Sequence, residues 1–242
     1  MNSSTLLEYR LRSPVRHIGT FARLFHCLVL ALAVLMTSIA PSPVSGTQPA
    51  SATGGGKPFT IVAFGDSLTA GYRLAPSEAF PVKLERALKA RGHAVTIANA
   101  GVSGDTTGAA LERLDWAIPD NTRLVIVELG ANDALRGLDP AVARRNLEAI
   151  ITRIKAKGSK ILLAGMYAPR NWGEDYAKRF DAMYADLAKA HGLKLYPFFL
   201  EGVAMRADLN LDDGLHPNAR GVDVIVERIL PAVEEFLRPA GD

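Results

Sequence analysis

Short apolar runs alternate with stretches of helical periodicity along this chain, and that alternation limits the folds that it can adopt. Residues 59–64 are mostly β-branched and apolar, which is typical of a strand buried on both faces. Strands are predicted at 59–64, 94–98, 124–129, 160–166 and 193–198, and helices at 77–91, 105–116, 140–157, 175–191 and 217–237. Strands that alternate with helices predict a parallel sheet with right-handed crossovers and helices on both faces. We therefore expect a three-layer α/β/α sandwich.

The order of the strands determines which motifs meet. We predict a doubly wound, flavodoxin-like order of 2-1-3-4-5, in which the first three strands in sequence are neighbours in space. Such sheets bind ligands at the carboxyl ends of their strands, at the point where the order reverses. The motifs that follow these three strands are Gly65-Asp66-Ser67, residues 99–106 and Gly130-Ala131-Asn132-Asp133. The fold therefore predicts one site built from all three.

Two distant segments supply the residue types of a catalytic triad. Ser67 lies near the start of the predicted domain, and Asp213 and His216 lie near its end. A serine hydroxyl becomes a good nucleophile when an imidazole removes its proton and a carboxylate fixes the imidazole tautomer. Each residue also has a structural interpretation, because a serine after a strand often caps a helix and Pro217 could occupy the first position of a helix beside His216. Asp212 competes with Asp213 as the carboxylate.

The two middle motifs offer donors for an oxyanion. Acyl transfer needs hydrogen-bond donors aimed at the negative oxygen of the tetrahedral intermediate, and glycine N–H groups and asparagine amides are suitable. The alternative is that these glycines only form turns and that Asn132 caps the next segment.

Taken together, the motifs resemble those of the SGNH (GDSL) hydrolases, and most of all their periplasmic thioesterase, lysophospholipase and arylesterase branch. The similarity runs from about residue 59 to about residue 237. It rests on Gly65-Asp66-Ser67-Leu68-Thr69-Ala70-Gly71-Tyr72, Ser103-Gly104-Asp105-Thr106, Val127-Glu128-Leu129-Gly130-Ala131-Asn132-Asp133 and Asp213-Gly214-Leu215-His216-Pro217. The resemblance implies the SGNH hydrolase fold and a serine esterase or thioesterase with Ser67 as nucleophile, His216 as base and Asp213 as its partner. It also implies an oxyanion hole made by the N–H groups of Ser67 and Gly104 and the side chain of Asn132.

The substrate is expected to be a small ester or thioester of short to medium acyl or aryl type, with lipid-derived esters among the candidates. The segments after the third and fourth strands should border the site, and their apolar residues would suit an acyl chain or an aromatic ring. We predict substrate contacts from Leu135, Met166, Pro169 and Trp172, although packing explains Met166 and Trp172 equally well. Glu128 interrupts a buried apolar strand, and we expect it to hydrogen-bond behind the site.

The amino-terminal segment is expected to direct export. Residues 1–46 carry four arginines in their first half, continue with an apolar run and end in small residues, which is the pattern of a signal peptide. We expect cleavage after Gly46 and a periplasmic or secreted protein, with an uncleaved membrane anchor as the alternative. Residues 47–57 are interpreted as a flexible link and 58–240 as the hydrolase domain.

Charge gives no support to a nucleic-acid partner. The net charge of +3 comes from the first 46 residues, which hold four arginines and one glutamate, while the remaining 24 basic and 24 acidic residues balance. We predict no metal site and no cofactor, since His93, His191 and His216 lack ligand spacing. No obligate protein partner is predicted.

Three other functions are compatible with parts of the sequence. A carbohydrate O-acetylesterase would use the same machinery. A nucleotide-binding module would share the fold, but residues 65–67 replace the glycine-rich loop that such a module needs. A non-catalytic periplasmic binding protein would keep the pocket without a reactive serine.

Overall fold

Five parallel strands form one sheet in the computed structural model, which describes residues 58–238. The strands are β1 Phe59–Gly65, β2 Val95–Gly101, β3 Leu124–Glu128, β4 Lys160–Ala164 and β5 Lys194–Tyr196. Their order is β2-β1-β3-β4-β5, which confirms the predicted 2-1-3-4-5 arrangement. The predicted signal peptide at 1–46 and the link at 47–57 lie outside the described residues.

Seven α-helices accompany the sheet in the described part of the chain. They are α1 Ser67–Ala70, α2 Phe80–Ala90, α3 Thr107–Ala117, α4 Ala131–Leu135, α5 Pro140–Ala156, α6 Glu174–His191 and α7 Ala219–Leu237, with 3-10 turns at Pro76–Glu78 and Arg170–Trp172. Helix α2 packs against α7, and α5 packs between α3 and α6. With right-handed crossovers, this pairing places α2 and α7 on one face of the sheet and α3, α5 and α6 on the other.

The hydrophobic core lies on both faces of the inner strands β1, β3 and β4. Residues Leu124–Val127 of β3 are completely buried, as expected of a strand covered by helices on both sides. The stripe predicted for α5, formed by Leu147, Ile150, Ile151 and Ile154, is also completely buried. Strand β2 lies at the edge and alternates buried and exposed residues over its first half. Strand β1, which leads into the serine motif, is buried over its last five residues.

Several predicted boundaries move by a few residues. The last helix begins at Ala219 and not at residue 217, because the side chain of Asn218 caps it by accepting from the Gly221 N–H at 3.0 Å. Pro217 instead forms a β-bridge with Asn210, so the predicted helix position for Pro217 is wrong. Helices α1 and α4 were not predicted. Among residues 58–238, none of the helices combines the length and apolar character needed to cross a bilayer.

Candidate active site

Ser67 occupies the first position of α1, and only Asp66 separates it from the end of β1. Asp66, and not Ser67, caps this short helix, because its Oδ1 accepts from the Leu68 N–H at 3.0 Å. Gly65 is required for the tight entry, since a Cβ there would lie 2.1 Å from Thr69 Oγ1 and 2.7 Å from the Glu128 carbonyl. The serine side chain is therefore left for another partner.

His216 is that partner. Its Nε2 lies 3.0 Å from Ser67 Oγ, and its Nδ1 lies 2.8 Å from Asp213 Oδ2. Asp213 Oδ1 also accepts from the N–H groups of Leu215 at 2.9 Å and His216 at 3.0 Å. Among the described residues, Asp213 rather than Asp212 contacts the ring. The structure thus brings together the three residues predicted for the triad.

The environment of Asp213 keeps its carboxylate charged. The backbone N–H of His216, with further help from Leu215 and the imidazole, lowers the pKa of Asp213 to about 2 against the opposing effect of desolvation. An ionised Asp213 accepts from Nδ1–H, which leaves the Nε2 lone pair to accept the Ser67 proton. The ring of Tyr72 packs on the imidazole with 4.5 Å between centroids.

A long loop between β5 and α7 carries His216 back to the centre of the sheet. Asn210 organises it, because its Nδ2 donates to the carbonyls of Val203 and Arg206, both at 2.7 Å. The Leu211 N–H donates to the His216 carbonyl at 2.7 Å, which closes the turn that holds Asp213. This loop lets the end of the chain reach a site formed by its beginning.

The three predicted oxyanion donors are available. Within residues 58–238, the N–H groups of Ser67 and Gly104 donate to no other group. Gly104 has φ +87°, a conformation that favours glycine, and Arg136 fixes its carbonyl with a 2.8 Å bond. One hydrogen of Asn132 Nδ2 is taken by Asp66 Oδ2 at 3.1 Å, so the other remains for a ligand.

Two buried carboxyl groups lie behind the serine motif. Burial raises the pKa of Asp66 to about 6. Burial, and then the charge of Asp66, raise the pKa of Glu128 well above its ordinary value. Glu128 Oε2 accepts from Thr69 Oγ1 at 2.8 Å. Glu128 therefore hydrogen-bonds to α1 behind the nucleophile, where we expected it.

An apolar cavity of about 250 Å³ opens beside Ser67 and His216. Leu135, Met166 and Pro169, three of the residues predicted to contact substrate, line it. Trp172 does not, because its ring packs under Gly137 and its Nε1 donates to the Ala134 carbonyl at 2.9 Å. Trp172 thus supports the loop after α4 from outside the cavity.

Other lining residues were missed from the sequence. They include Phe198, Leu200, Ala204, Met205 and Leu215, whereas Tyr167 lies in a segment that was expected to border the site. Phe198 and Leu200 follow the last strand, a position that could have suggested them. Met205 has φ +64° and is 95 % exposed, and the sequence holds no signal for that conformation. In residues 58–238, no three His, Cys, Asp or Glu side chains are grouped as metal ligands would be.

Comparison with known proteins places this geometry in context. Residues 63–224 match the sequence model of the GDSL-like Lipase/Acylhydrolase family. The chain is 40 % identical over 178 residues to an arylesterase of Vibrio mimicus, a match that covers 73 % of this chain and 89 % of that protein. It is 34 % identical over 179 residues to esterase TesA of Pseudomonas aeruginosa, with 74 % and 89 % covered. The crystal structure of AlinE4, an SGNH-hydrolase family esterase, is 49 % identical with a TM-score of 0.63 and covers 76 % of this chain and 99 % of its own.

Proposed function

The chain belongs to the GDSL-like lipase/acylhydrolase family and is a carboxylic ester hydrolase, and from that premise we propose that Ser67, His216 and Asp213 are its catalytic triad. The observation that carries the proposal is the unbroken line of contacts from Ser67 Oγ through the imidazole to Asp213, at 3.0 and 2.8 Å.

Acylation begins when Ser67 Oγ attacks the substrate carbonyl while His216 Nε2 takes the hydroxyl proton. The N–H groups of Ser67 and Gly104 and the Asn132 amide stabilise the negative oxygen that forms. His216 then gives the proton to the leaving alcohol or thiol as its bond to the acyl carbon breaks. In the second half, His216 removes a proton from water, water attacks the acyl-enzyme, and Ser67 leaves reprotonated.

The cavity supports a substrate with a short to medium acyl chain or an aryl group. Its volume of about 250 Å³ is just below the roughly 300–1,000 Å³ of most small-molecule sites, and its walls are mainly apolar. Relatives are named arylesterase and thioesterase 1/protease 1/lysophospholipase L1, so we propose both ester and thioester substrates for this chain.

We also propose that residues 1–46 direct export to the periplasm or beyond and are removed after Gly46. The charge and hydropathy pattern of the segment supports this. Sequencing the amino terminus of the protein from its own cells should give Thr47, and an intact Met1 would contradict it.

The triad is tested by labelling and kinetics on one set of variants. A fluorophosphonate should label the wild type and not Ser67→Ala, and His216→Ala should lose about 10⁴-fold or more in kcat. Asp213→Asn should also lose most activity, whereas Asp212→Asn, the matched control, should keep it. A folded wild type that takes no label would contradict the proposal.

The substrate class is tested with p-nitrophenyl and acyl-CoA esters of increasing chain length beside acetylated sugars. We expect kcat/KM to rise beyond acetyl and to fall again once the chain outgrows the cavity. Activity confined to acetylated sugars would instead favour the carbohydrate esterase.

A further inference from the structure

Arg113 is a buried cation that takes no part in the proposed chemistry. It lies in the middle of α3, its side chain is 9 % exposed, and its guanidinium stacks on the ring of Phe64 at 4.5 Å from the centroid. Neither the triad nor the acyl cavity includes it. A charge held this far from water must be matched by specific bonds, since desolvation is costly.

Three short segments carry the oxyanion donors: residues 65–67 (the Ser67 loop), residues 103–107 (the Gly104 loop) and residues 130–133 (the Asn132 loop). The two hydrogen bonds of Arg113 join the Ser67 loop to the Gly104 loop, which carry the two backbone donors. Its Nε donates to Asp105 Oδ2 at 2.6 Å, and its Nη2 donates to the Gly65 carbonyl at 2.9 Å. Gly65 precedes Ser67 by two residues, and Asp105 follows Gly104 directly. One rigid, planar group therefore spans the segments that hold the Ser67 and Gly104 N–H groups.

Two more contacts complete a closed ring of three loops. Asp133 accepts from the Thr107 N–H at 2.8 Å and its hydroxyl at 2.7 Å, which joins the Asn132 loop to the Gly104 loop. The Asn132 amide donates to Asp66, which joins the Asn132 loop to the Ser67 loop. Each pair of donor loops is thus connected by side-chain hydrogen bonds behind the site.

The Arg113 connection differs from the other two because it links donors that belong to the backbone. A side chain such as Asn132 can turn to follow a ligand, whereas an N–H group moves only with its loop. Arg113 Nη1 also has no hydrogen-bond partner among the described residues, so the buried cation is only partly satisfied. Apolar side chains in place of both Arg113 and Asp105 would avoid that cost, so stability alone does not account for this ion pair.

Building on the proposed function, we propose that Arg113 is a positioning residue that sets the distance between the Ser67 and Gly104 N–H groups to suit the tetrahedral oxyanion. Those donors act mainly in the transition state. Loss of Arg113 should therefore lower kcat and leave KM nearly unchanged.

The test compares Arg113→Met, Arg113→Lys and Asp105→Asn in the full chain, with p-nitrophenyl butyrate as substrate and butylboronic acid as a tetrahedral mimic. For Arg113→Met we expect a fall in kcat of about 10- to 100-fold, as for a small misplacement of catalytic groups, with KM within about 2-fold. The inhibition constant of butylboronic acid should rise in the same proportion. Arg113→Lys keeps the charge but not the fork, so it should recover only part of kcat.

Arg153→Met is the matched control. Arg153 also binds α3, through the Leu111 carbonyl and Asp115, but far from the donor loops. Its loss should leave kcat and boronic acid affinity unchanged even if the melting temperature falls.

Folding is checked by circular dichroism for every variant. The proposal is overturned if folded Arg113 variants keep wild-type kcat, if their loss of activity only follows their loss of folded protein, or if none of the three folds. It is distinct from the proposed function, which fails instead if the wild type itself neither hydrolyses esters nor takes the fluorophosphonate label.

Discussion

Asp66 places a carboxylate behind the nucleophile where little water reaches it. It caps α1 through the Leu68 N–H and also accepts from the Asn132 amide, so one side chain orients both the serine helix and an oxyanion donor. The cost of this arrangement is visible in its pKa, which burial raises to about 6 from an ordinary 3.8. A group of this kind favours function at the expense of stability.

Asp66→Asn should separate these two effects. The single oxygen of the new amide can still cap α1, but its NH₂ would then face the NH₂ of Asn132, so one of the two amides must turn. If Asn132 turns, its carbonyl faces the oxyanion, and kcat should fall about 10²- to 10³-fold, as when an oxyanion donor is removed. Steady-state kinetics at pH 8 measure this, and unchanged kcat would show that Asn132 does not depend on Asp66.

The same variant should be more stable than the wild type at neutral pH. Because the pKa of Asp66 is raised in the folded state, its contribution to the free energy of unfolding is full below pH 3.8 and is lost as pH rises through 6. The gain of Asp66→Asn should therefore grow from pH 4 to pH 7, to about 3 kcal/mol at most. Guanidinium unfolding across this range measures it, with the exposed Asp212→Asn as a control for net charge. A gain that does not change with pH would contradict the assignment.

At the scale of elements, helix α7 contains an interior proline that lowers helix stability and has no role in the proposed active site. Pro231 lies inside this 19-residue helix with its ring exposed, and it has no N–H to donate to the Glu227 carbonyl. Relative to alanine, an interior proline costs a helix about 3 kcal/mol, of which up to about 1 is offset in the unfolded chain.

Pro231→Ala should accordingly stabilise the protein by about 1–3 kcal/mol and raise Tm by roughly 2–4 °C for each kcal/mol. Activity should not change, because residue 231 is about four turns of helix from His216. Calorimetry and ester hydrolysis measure the two outcomes. Glu227→Ala, an exposed change one turn earlier, should shift stability by less than about 0.5 kcal/mol. A lower Tm for Pro231→Ala would mean that packing of the ring outweighs the missing bond.

The sequence predicted well those elements whose burial produces a recognisable pattern of apolar residues along the chain. Strand β3 is apolar from Leu124 to Val127 because helices cover both of its faces, and α5 repeats its apolar residues because only one side is buried. Helices α1 and α4 span four and five residues, too few for any period to be recognised. Both start at site motifs, whose residues are chosen for chemistry and tight turns.

At the scale of the whole molecule, the sequence predicted which strands meet but not how the loops run. The order of the strands follows from alternation and handedness, so Ser67, Gly104 and Asn132 could be assigned to one edge. Trp172 and Met205 could not be placed, because tertiary contacts and one left-handed residue decide where their loops turn. Arg113 was missed because its partners are a carbonyl and a carboxylate from two separate loops.

The nucleophile and the base therefore lie on different kinds of structure: Ser67 lies just after the end of a strand inside the sheet, and His216 lies in a loop. Ser67 follows β1, which pairs with strands on both sides, whereas His216 lies in a loop of about twenty residues whose hydrogen bonds are mostly local to the loop. Asn210 is central to that loop, because its side-chain amide donates to two carbonyls and its backbone carbonyl accepts from Asn218 Nδ2 at 3.3 Å. Local opening should start in such a segment, well below the free energy of global unfolding.

Asn210→Ala should expose this difference by leaving two carbonyls without their donor, at a cost of about 1–3 kcal/mol. Hydrogen exchange followed by mass spectrometry should show faster exchange over residues 200–217 and unchanged exchange in β1 and β3. Ester hydrolysis should fall as His216 spends less time beside Ser67, while the exposed Asn121→Ala should change neither measurement. If exchange instead rises equally in β1, β3 and the loop, the base-bearing loop is part of the global folding unit and its independent opening is refuted.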